Sequence, residues 1–338
     1  MKHILVIRFS ALGDVAMLAP VLRLVAAQHR DCHYTVLSQP FCEPLFDDCG
    51  ENVSFIGRNI KSDYKGIAGL YRLFRELHQM HFDEIVDEHD VLRTKVLRLF
   101  FRLHGYTVRK IDKHRQYRRE ITAPQPKKKL RQLPTSFENY AEALGEKVTR
   151  PSSLVTLHSS PQTSQIGIAP FAAHEGKIYP LDKMEEVVSA LSSKEVLSKG
   201  VKSDKLSPSI LLFGGKGKEE EIMRQWADKY DGVMLASDYI KSQDKTPCLR
   251  EELQLMKQLS VMISMDSANM HLASLVGTRV ISIWGATHPY AGFLGWGQRM
   301  EDCIQRDLPC RPCSIYGNKK CIYGDYRCMD ISPFTIRV

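Results

Sequence analysis

The turn around Asp14 places a carboxylate where it could act as a general base. Gly13 and Asp14 follow a short apolar run at residues 4–7, and apolar residues flank them on both sides. Glycine permits a tight turn in which a ligand approaches backbone amides closely, and a helix start favours the ionised form of an acid. A carboxylate in such a place can remove a proton from a bound substrate. The alternative is that Asp14 is a simple helix N-cap, a position that aspartate often fills.

A second turn, at residues 266–269, offers a binding site for an anion. It follows the apolar residues 261–265 and consists of Asp266, Ser267, Ala268 and Asn269. Small residues with free amides at a helix start suit a pyrophosphate, and His271 would lie in the same first turn. Asp266 or Ser267 could instead only cap the helix, and a single histidine is more often structural than functional.

Two further loops that follow expected strands carry glycine and lysine. Ala172 and Ala173 precede Lys177, whose point charge suits a phosphate. Residues 213–218 are glycine-rich around Gly215, but no Ser or Thr follows Gly-Lys as the Walker pattern requires, so the sequence does not support ATP hydrolysis. Neither this loop nor the turn at Gly13 has the Gly-x-Gly-x-x-Gly spacing, which disfavours an NAD-type dehydrogenase.

Four of the nine cysteines follow one another with the spacing Cys310-x2-Cys313-x7-Cys321-x6-Cys328. These thiols could bind zinc. The spacing holds only one Cys-x2-Cys pair, however, so structural thiols or a redox-sensitive staple are comparable alternatives. A catalytic zinc fits least well, because its open ligand set usually includes His or a carboxylate.

The net charge of +8 indicates an anionic partner, namely phosphate, nucleic acid or a lipid surface. Residues 109–131 hold ten Lys or Arg against two acids. The basic residues at the end of this segment are Lys127, Lys128, Lys129 and Arg131. The alternative is a solvated basic loop without a partner. The apolar start of the chain is broken at Arg8, and no window offers the roughly 20 apolar residues that span a bilayer, so we expect a cytoplasmic protein.

Short apolar runs alternate with helical spacing along the chain, which predicts an α/β fold with mainly parallel sheets. A length of 338 residues suits two domains. The pattern weakens between about 112 and 160, and we place the boundary near 150–163, giving domains at 1–160 and 161–338. Residues 192–208 are rich in Ser and Lys and predict a flexible insertion.

Within the two halves, individual elements can be assigned from the pattern. Pro20 lies in the helical pattern after Gly13, so the helix is expected either to kink or to begin there. The strands are expected at 4–7, 34–37, 53–56, 84–87, 166–169, 210–213, 261–265 and 280–284. The remaining helices are expected at 92–103, from 181, from 219, at 251–259 and at 269–276.

Taken together, the motifs resemble glycosyltransferase family 9, the heptosyltransferases of lipopolysaccharide inner-core synthesis. The resemblance covers most of the chain. The segments that carry it are residues 8–15 (Arg-Phe-Ser-Ala-Leu-Gly-Asp-Val), 177–180 (Lys-Ile-Tyr-Pro), 266–271 (Asp-Ser-Ala-Asn-Met-His), 284–289 (Trp-Gly-Ala-Thr-His-Pro) and the late cysteine cluster. The resemblance implies a GT-B fold, in which two Rossmann-like doubly wound domains face a central cleft. It also implies an inverting transfer with no obligatory metal or other cofactor, and a donor held mainly by the second domain.

The resemblance further assigns roles to individual residues. Asp14 matches the general base that deprotonates the acceptor hydroxyl. Lys177 matches a lysine that meets the donor, and Asp266 matches an acid that contacts the donor sugar. The remaining donor-binding positions are Gly13, Ala172, Ala173, Gly215, Ser267, Ala268 and His271.

Four positions depart from the family pattern. Ala172 and Ala173 stand where many members have Thr or Ser, so only backbone donors remain there. Ala268 stands where Gly is frequent, and Lys216 stands where an acid that helps to recognise the ribose is usual. The last departure bears on the identity of the donor.

The sequence therefore predicts a glycosyltransferase that moves a heptose from ADP-heptose to the lipid-linked inner core. It would work at the cytoplasmic face of the inner membrane without a nucleic-acid partner, with Lys127, Lys128, Lys129 and Arg131 meeting the anionic acceptor or membrane. One alternative is a family member with another donor or acceptor. A less favoured one is a basic nucleic-acid-binding protein with zinc at the late cysteines.

Overall fold

The computed structural model describes residues 1–147, 163–193 and 209–336. The chain forms two compact units by its contacts. Unit 1 consists of Met1–Arg115 and Pro134–Pro151, and unit 2 consists of Gln116–Leu133 and Ser152–Val338. The boundary expected at residue 160 and most of the insertion expected at 192–208 lie outside the described residues.

Unit 1 is built on a five-stranded parallel sheet with the strand order β3-β2-β1-β4-β5. The strands are β1 (Lys2–Ile7), β2 (Cys32–Ser38), β3 (Val53–Gly57), β4 (Glu84–Asp87) and β5 (Thr107–Lys110). The helices of this unit are α1 (Leu12–Gln28), α2 (Gly66–His78), α3 (Leu92–Leu103) and α5 (Ser136–Ala143), and only the first residue of α4 (Arg115–Ile121) belongs to it. Helix α4 spans the point at which the chain passes from one unit to the other.

Burial explains why β1 lies in the middle of this sheet. Its residues 4–7 are buried on both faces, as expected for an apolar run in a parallel sheet. Helix α1 follows and packs against β2 and α5, and it continues through Pro20, so the expectation that the helix begins at this proline is wrong. Residues 15–19 before the proline and residues 21 and 22 after it are all buried. This packing holds the helix together although proline removes one internal hydrogen bond.

Unit 2 is built on a six-stranded parallel sheet with the strand order β11-β10-β9-β6-β7-β8. The strands are β6 (Ile166–Ala169), β7 (Ile210–Leu212), β8 (Val233–Leu235), β9 (Val261–Met265), β10 (Val280–Trp284) and β11 (Cys303–Gln305). The described helices are α6 (Leu181–Ser192), α7 (Lys218–Lys229), α8 (Ala236–Ser242), α9 (Leu249–Gln258) and α10 (Ala268–Leu275). The interior strands β9 and β10 are buried throughout.

Each sheet has one point at which the direction of strand addition reverses. In unit 1 this point lies between β1 and β4, and in unit 2 it lies between β6 and β9. Ligands of open parallel sheets bind outside the carboxyl ends of the strands at such a point. The loops after β1, β4, β6 and β9 are therefore the places in each unit where a functional site is expected.

The described helices include none that is both long and apolar enough to cross a membrane. The structure confirms the predicted α/β class with two doubly wound parallel sheets. It also adds elements that the pattern does not predict, chiefly α2, β5, β8 and α8.

Candidate functional site

The loops after β6 and β9 meet through an ion pair between Lys177 and Asp266. The Lys177 Nζ lies 3.0 Å from Asp266 Oδ2. The buried hydroxyl of Thr287, in the loop after β10, donates to the same oxygen at 2.8 Å. Only 3% of Asp266 is exposed. Both contacts go to Oδ2, so the carboxylate is fixed in one orientation at the switch point of unit 2.

The start of α10 has the features of an anion site. Ser267 occupies the N-cap position with extended backbone, but its hydroxyl does not cap the helix and lies 3.3 Å from the Ser264 hydroxyl. The alternative that Asp266 or Ser267 only caps this helix is therefore wrong, because Asp266 instead holds Lys177. Ala268 is the first helical residue, and His271 lies buried in the same turn. The helix start thus presents amides that no side chain at the cap satisfies.

Gly176 brings the Lys177 loop close to the loop after β10. Its carbonyl accepts the Ala286 N–H at 2.8 Å. A Cβ at position 176 would lie 2.9 Å from the Ala286 Cβ, closer than real Cβ atoms approach other groups. In the same segment Ala172 is half-buried and Ala173 is exposed. The small residues therefore permit the close approach, and Lys177 supplies the charge.

The buried Arg311 fixes the loop that carries Thr287. Its guanidinium donates to the Thr287 carbonyl at 2.9 Å, to Gln305 Oε1 at 3.0 Å and also to the Gly285 carbonyl. Burial lowers the pKa of Arg311 below its usual value. In the same loop, burial together with the Arg311 charge lowers the pKa of His288 to about 4. The His288 Nδ1 accepts the Tyr290 N–H at 3.0 Å, as a neutral imidazole can.

A pocket of about 310 Å³ lies at the carboxyl ends of β7 and β8. Its lining includes Gly214, Gly215, Lys216, Glu220, Ser237 and Glu252. Gly215 is exposed, and its N–H donates to Glu219 Oε2 at 2.6 Å. The volume falls at the lower end of the range for small-molecule sites.

In unit 1, Asp14 lies in the first turn of α1 and forms an ion pair with Arg8. The distance from Arg8 Nη2 to Asp14 Oδ2 is 2.7 Å, and the same oxygen accepts the Ala11 N–H at 3.1 Å. The Asp14 side chain is 26% exposed, whereas that of Arg8 is 6% exposed. Ala11 is the N-cap residue, so Asp14 is not the N-cap but bonds back to it. Gly13 is part of the helix and does not adopt the left-handed conformation.

Arg8 is held from several sides. Its Nη1 donates to the Glu88 carbonyl, and its guanidinium lies 5.5 Å from the centre of the Tyr140 ring. The Tyr140 hydroxyl donates to the Asp14 carbonyl at 3.2 Å. Burial alone would lower the pKa of Arg8, but Tyr140 and Asp14 raise it above its ordinary value. The pair is therefore part of a packed network and not an isolated surface contact.

A cluster of four polar residues that the sequence analysis did not identify lies at the carboxyl end of β4, next to the Arg8 loop. Asp87 Oδ1 accepts the His89 N–H at 2.9 Å and the Asp90 N–H at 3.0 Å. Asp90 pairs with Arg98 at 3.0 Å and with Arg115 at 2.8 Å. The sequence signal was present, since Asp87 ends a buried strand and three further polar residues (Glu88, His89 and Asp90) follow it directly.

Burial shifts the titration of two members of this cluster. The pKa of Glu88 is raised well above its ordinary value, and neither carboxyl oxygen has a hydrogen bond within the described part of the chain. The pKa of His89 is lowered to about 3 by burial and by the Arg8 charge. The His89 Nδ1 accepts the Phe9 N–H at 3.4 Å. His89 is therefore neutral at neutral pH, and burial favours the uncharged form of Glu88, beside the ion pair of Arg8 and Asp14.

The basic segment expected to meet the acceptor or a membrane contains both bound and exposed cations. Lys128 Nζ donates to the carbonyls of Ile121, Cys310 and Pro312 at 3.1, 3.1 and 2.6 Å. Burial lowers the pKa of Lys128. Arg131 pairs with Glu120 at 2.6 Å and lies over the Tyr117 ring. Lys127 and Lys129 are exposed.

The nine cysteines are all free thiols. Burial raises the pKa of Cys328 to about 11 and also raises that of Cys313, whereas the pKa of Cys321 is lowered by backbone hydrogen bonds that outweigh its slight burial. Cys310 is half-buried. Over residues 1–147, 163–193 and 209–336, no group of three or more His, Cys, Asp or Glu is arranged to hold a metal ion. The described geometry therefore gives the zinc hypothesis for these cysteines no support.

Comparison with known proteins places the chain in a family. The family model of glycosyltransferase family 9 (heptosyltransferase) matches residues 70–323, a range that includes Lys177 and Asp266 but begins after Asp14. No curated protein sequence matches the chain.

Several solved structures share the fold. The E. coli heptosyltransferase WaaC with ADP is 14% identical, covers 93% of this chain and 97% of its own, and has a TM-score of 0.62. The E. coli ADP-heptose lps heptosyltransferase II is 17% identical, with coverages of 99% and 96% and a TM-score of 0.63. A family 9 glycosyl transferase from Veillonella parvula DSM 2008 is 16% identical, with coverages of 99% and 94% and a TM-score of 0.66. Since the family model spans well over half of the chain and these structures share its two-sheet GT-B fold, the chain is a glycosyltransferase and belongs to glycosyltransferase family 9, the heptosyltransferase family.

Proposed function

We propose that the protein transfers a heptose from ADP-heptose to the lipid-linked inner core of lipopolysaccharide, with inversion at the anomeric carbon. The observation that carries the proposal is the ion pair of Lys177 with Asp266 beside the uncapped start of α10. It lies at the switch point of unit 2 in a chain of the heptosyltransferase family. Two of the structures with the same fold are WaaC with ADP and WaaC with ADP-2-deoxy-2-fluoro heptose.

On this proposal, unit 2 binds the donor. Negative charge develops on the departing diphosphate, and the amides at the start of α10 together with Lys177 Nζ stabilise it. Asp266 accepts hydrogen bonds from hydroxyl groups of the sugar through Oδ1, the oxygen that Lys177 and Thr287 do not contact. Such preorganised donors and charges act without a metal ion, so no cofactor is obligatory in this scheme.

Asp14 is the proposed general base. Its pairing with Arg8 requires the deprotonated carboxylate, which is the form that accepts a proton. The carboxylate remains 26% exposed, so an acceptor hydroxyl can reach it. The hydroxyl oxygen then attacks the anomeric carbon, the bond to the diphosphate breaks, and the proton passes to Asp14.

The acceptor and the cellular location are also part of the proposal. The exposed Lys127 and Lys129 offer positive charge to an anionic lipid or sugar phosphate. Lys128 and Arg131 instead hold the segment in place, since both are bonded within unit 2. We propose that the protein works at the cytoplasmic face of the inner membrane.

A second candidate is the same transfer from another nucleotide sugar. The observation that favours it is Lys216, which lines the pocket after β7. An acid is usual there in the family that the sequence resembles. A cation in place of an acid changes which nucleoside groups the pocket can hydrogen-bond.

A binding screen followed by a transfer assay tests the proposal. Thermal unfolding should be measured with ADP, GDP, UDP, CMP and ADP-heptose, because a ligand that binds the native state stabilises it by mass action. We expect a concentration-dependent shift with ADP and ADP-heptose, and heptose transfer to a truncated inner-core lipid. A response to a different nucleotide alone would favour the second candidate. No response to any nucleotide, with binding of nucleic acid instead, would refute both.

A further inference from the structure

The pocket after β7 and β8 contains an acid that the donor-binding scheme above does not use. Glu252 lies in the first turn of α9 and lines this pocket together with Lys216 and Ser237. Lys216 reaches the pocket from a different element, the loop after β7, and is exposed. The carboxylate that the loop lacks is therefore supplied to the same pocket from another element.

The environment of Glu252 differs from that of the other acids nearby. Glu251, the preceding residue, pairs with Lys245 at 2.7 Å, and Glu220, which also lines the pocket, pairs with Arg224 at 3.1 Å. Glu252 makes no side-chain hydrogen bond or ion pair with any residue in the described ranges. Burial raises its pKa. A half-buried carboxyl without a partner, facing a pocket, is a strong acceptor with its capacity unused.

We propose that Glu252 determines which nucleotide this pocket binds, by accepting a hydrogen bond from an O–H or N–H group of the nucleoside. The inference rests on the proposed function, because it assumes that the pocket holds the nucleoside of the donor. The donor group is either a ribose hydroxyl or an amino group of the base, and both offer the same chemistry to a carboxylate. The phosphate chemistry at Lys177 and Asp266 does not depend on it.

The size of the effect follows from the type of bond. A hydrogen bond to a charged group contributes about 1.5–3 kcal/mol net, which corresponds to a loss of about 10-fold or more in affinity. Glu252→Ala removes the acceptor, whereas Glu252→Gln keeps one acceptor oxygen and the shape. Glu251→Ala is the matched control, because it removes a neighbouring acid on the same helix that does not line the pocket.

The test is titration calorimetry of the full chain with ADP. We expect Glu252→Ala to weaken ADP binding about 10-fold or more, Glu252→Gln to weaken it less, and Glu251→Ala to leave it unchanged. Titration with 2′-deoxy-ADP, 3′-deoxy-ADP and IDP then identifies the donor group. The analogue that lacks it should bind the wild type weakly and lose nothing further in Glu252→Ala.

The outcomes separate this inference from the proposed function. If the wild type binds ADP and Glu252→Ala binds it equally well, the inference on Glu252 is overturned and the proposed function stands. If Glu251→Ala weakens binding as much as Glu252→Ala, the effect belongs to the helix and the inference is again overturned. If neither wild type nor variants bind any nucleotide although their thermal unfolding is normal, both proposals are overturned.

Discussion

The pairing of Asp14 with Arg8 can be tested by removing each partner alone and both together. Asp14→Asn keeps the size of the side chain but removes its charge and its basicity. Arg8→Gln removes the charge that lies 2.7 Å from the Asp14 carboxylate. If Asp14 is the general base, Asp14→Asn should reduce kcat by about 10²–10⁴-fold and leave donor affinity unchanged.

The expected coupling free energy follows from the exposure of the two side chains. Removing one partner of a fully buried ion pair costs about 3–5 kcal/mol, because a buried charge is left alone. Arg8 is 6% exposed but Asp14 is 26% exposed, so water can solvate the carboxylate that remains in Arg8→Gln. We therefore expect a coupling of about 2 kcal/mol in the free energy of unfolding, within the range for hydrogen bonds to charged groups.

The assay combines denaturant unfolding of the four proteins with steady-state transfer kinetics. Asp112→Asn is the control, because that acid belongs to the same unit and is 70% exposed. It should leave both stability and kcat unchanged. An Asp14→Asn variant with wild-type kcat would refute the base assignment. A coupling near zero would refute the view that Arg8 holds the carboxylate.

Three further predictions concern the donor, acid stability and the membrane. Lys177→Ala should weaken ADP binding about 10-fold or more, because a charge-assisted contact to phosphate is lost, as calorimetry would show. His288 has a folded pKa of about 4, below the usual 6.5, so the neutral folded form resists protonation and stability falls as pH drops from 6.5 towards 4. Between pH 7 and pH 5, the free energy of unfolding of His288→Asn should therefore fall by about 2 kcal/mol less than that of the wild type, as denaturant unfolding would show. Replacing Lys127 and Lys129 by serine should reduce co-sedimentation with vesicles that contain anionic lipid.

Each of these predictions has a matched control. Lys229→Ala removes a lysine that also pairs with a carboxylate, at 2.7 Å from Glu185, and should not change ADP affinity. His174→Gln changes an exposed histidine, and its free energy of unfolding should fall between pH 7 and pH 5 by as much as that of the wild type. Replacing the exposed Lys319 and Lys320 by serine removes the same charge as the vesicle variant and should leave co-sedimentation unchanged. Equal effects in a variant and its control would contradict the corresponding prediction.

The elements that the sequence predicts well are those whose burial is visible as a run of apolar residues. β9 and β10 are buried throughout and apolar except for one serine each, because helices or loops cover both faces of an interior parallel strand. β5 escaped prediction because it is an edge strand with exposed ends and the polar sequence Thr-Val-Arg-Lys. β8 is another edge strand, only three residues long, which is too short to show a period.

The candidate sites could be predicted only in part, and for a related reason. Asp14, Lys177 and Asp266 follow strands that are recognisable in the sequence, so their loops could be singled out. The Asp87–Asp90 cluster lies beside the Arg8 loop because β4 pairs with β1. No local sequence pattern shows that pairing. In the same way, the contacts of Lys128 with the carbonyls around the late cysteines join residues more than 180 positions apart.

On the proposed function, the arrangement within unit 2 would separate the chemistry of transfer from the choice of nucleotide. Lys177, Asp266 and the start of α10 lie at the switch point between β6 and β9, where any nucleoside diphosphate would present its phosphates. Lys216 and Glu252 line a different pocket, beyond β7, where the nucleoside would lie. A lysine at position 216 in place of the usual acid can therefore alter which nucleotide the pocket prefers. The groups proposed to stabilise the leaving diphosphate stay as they are. On the proposed function, the identity of the donor would therefore depend on Glu252 and its pocket more than on the residues proposed to perform the transfer.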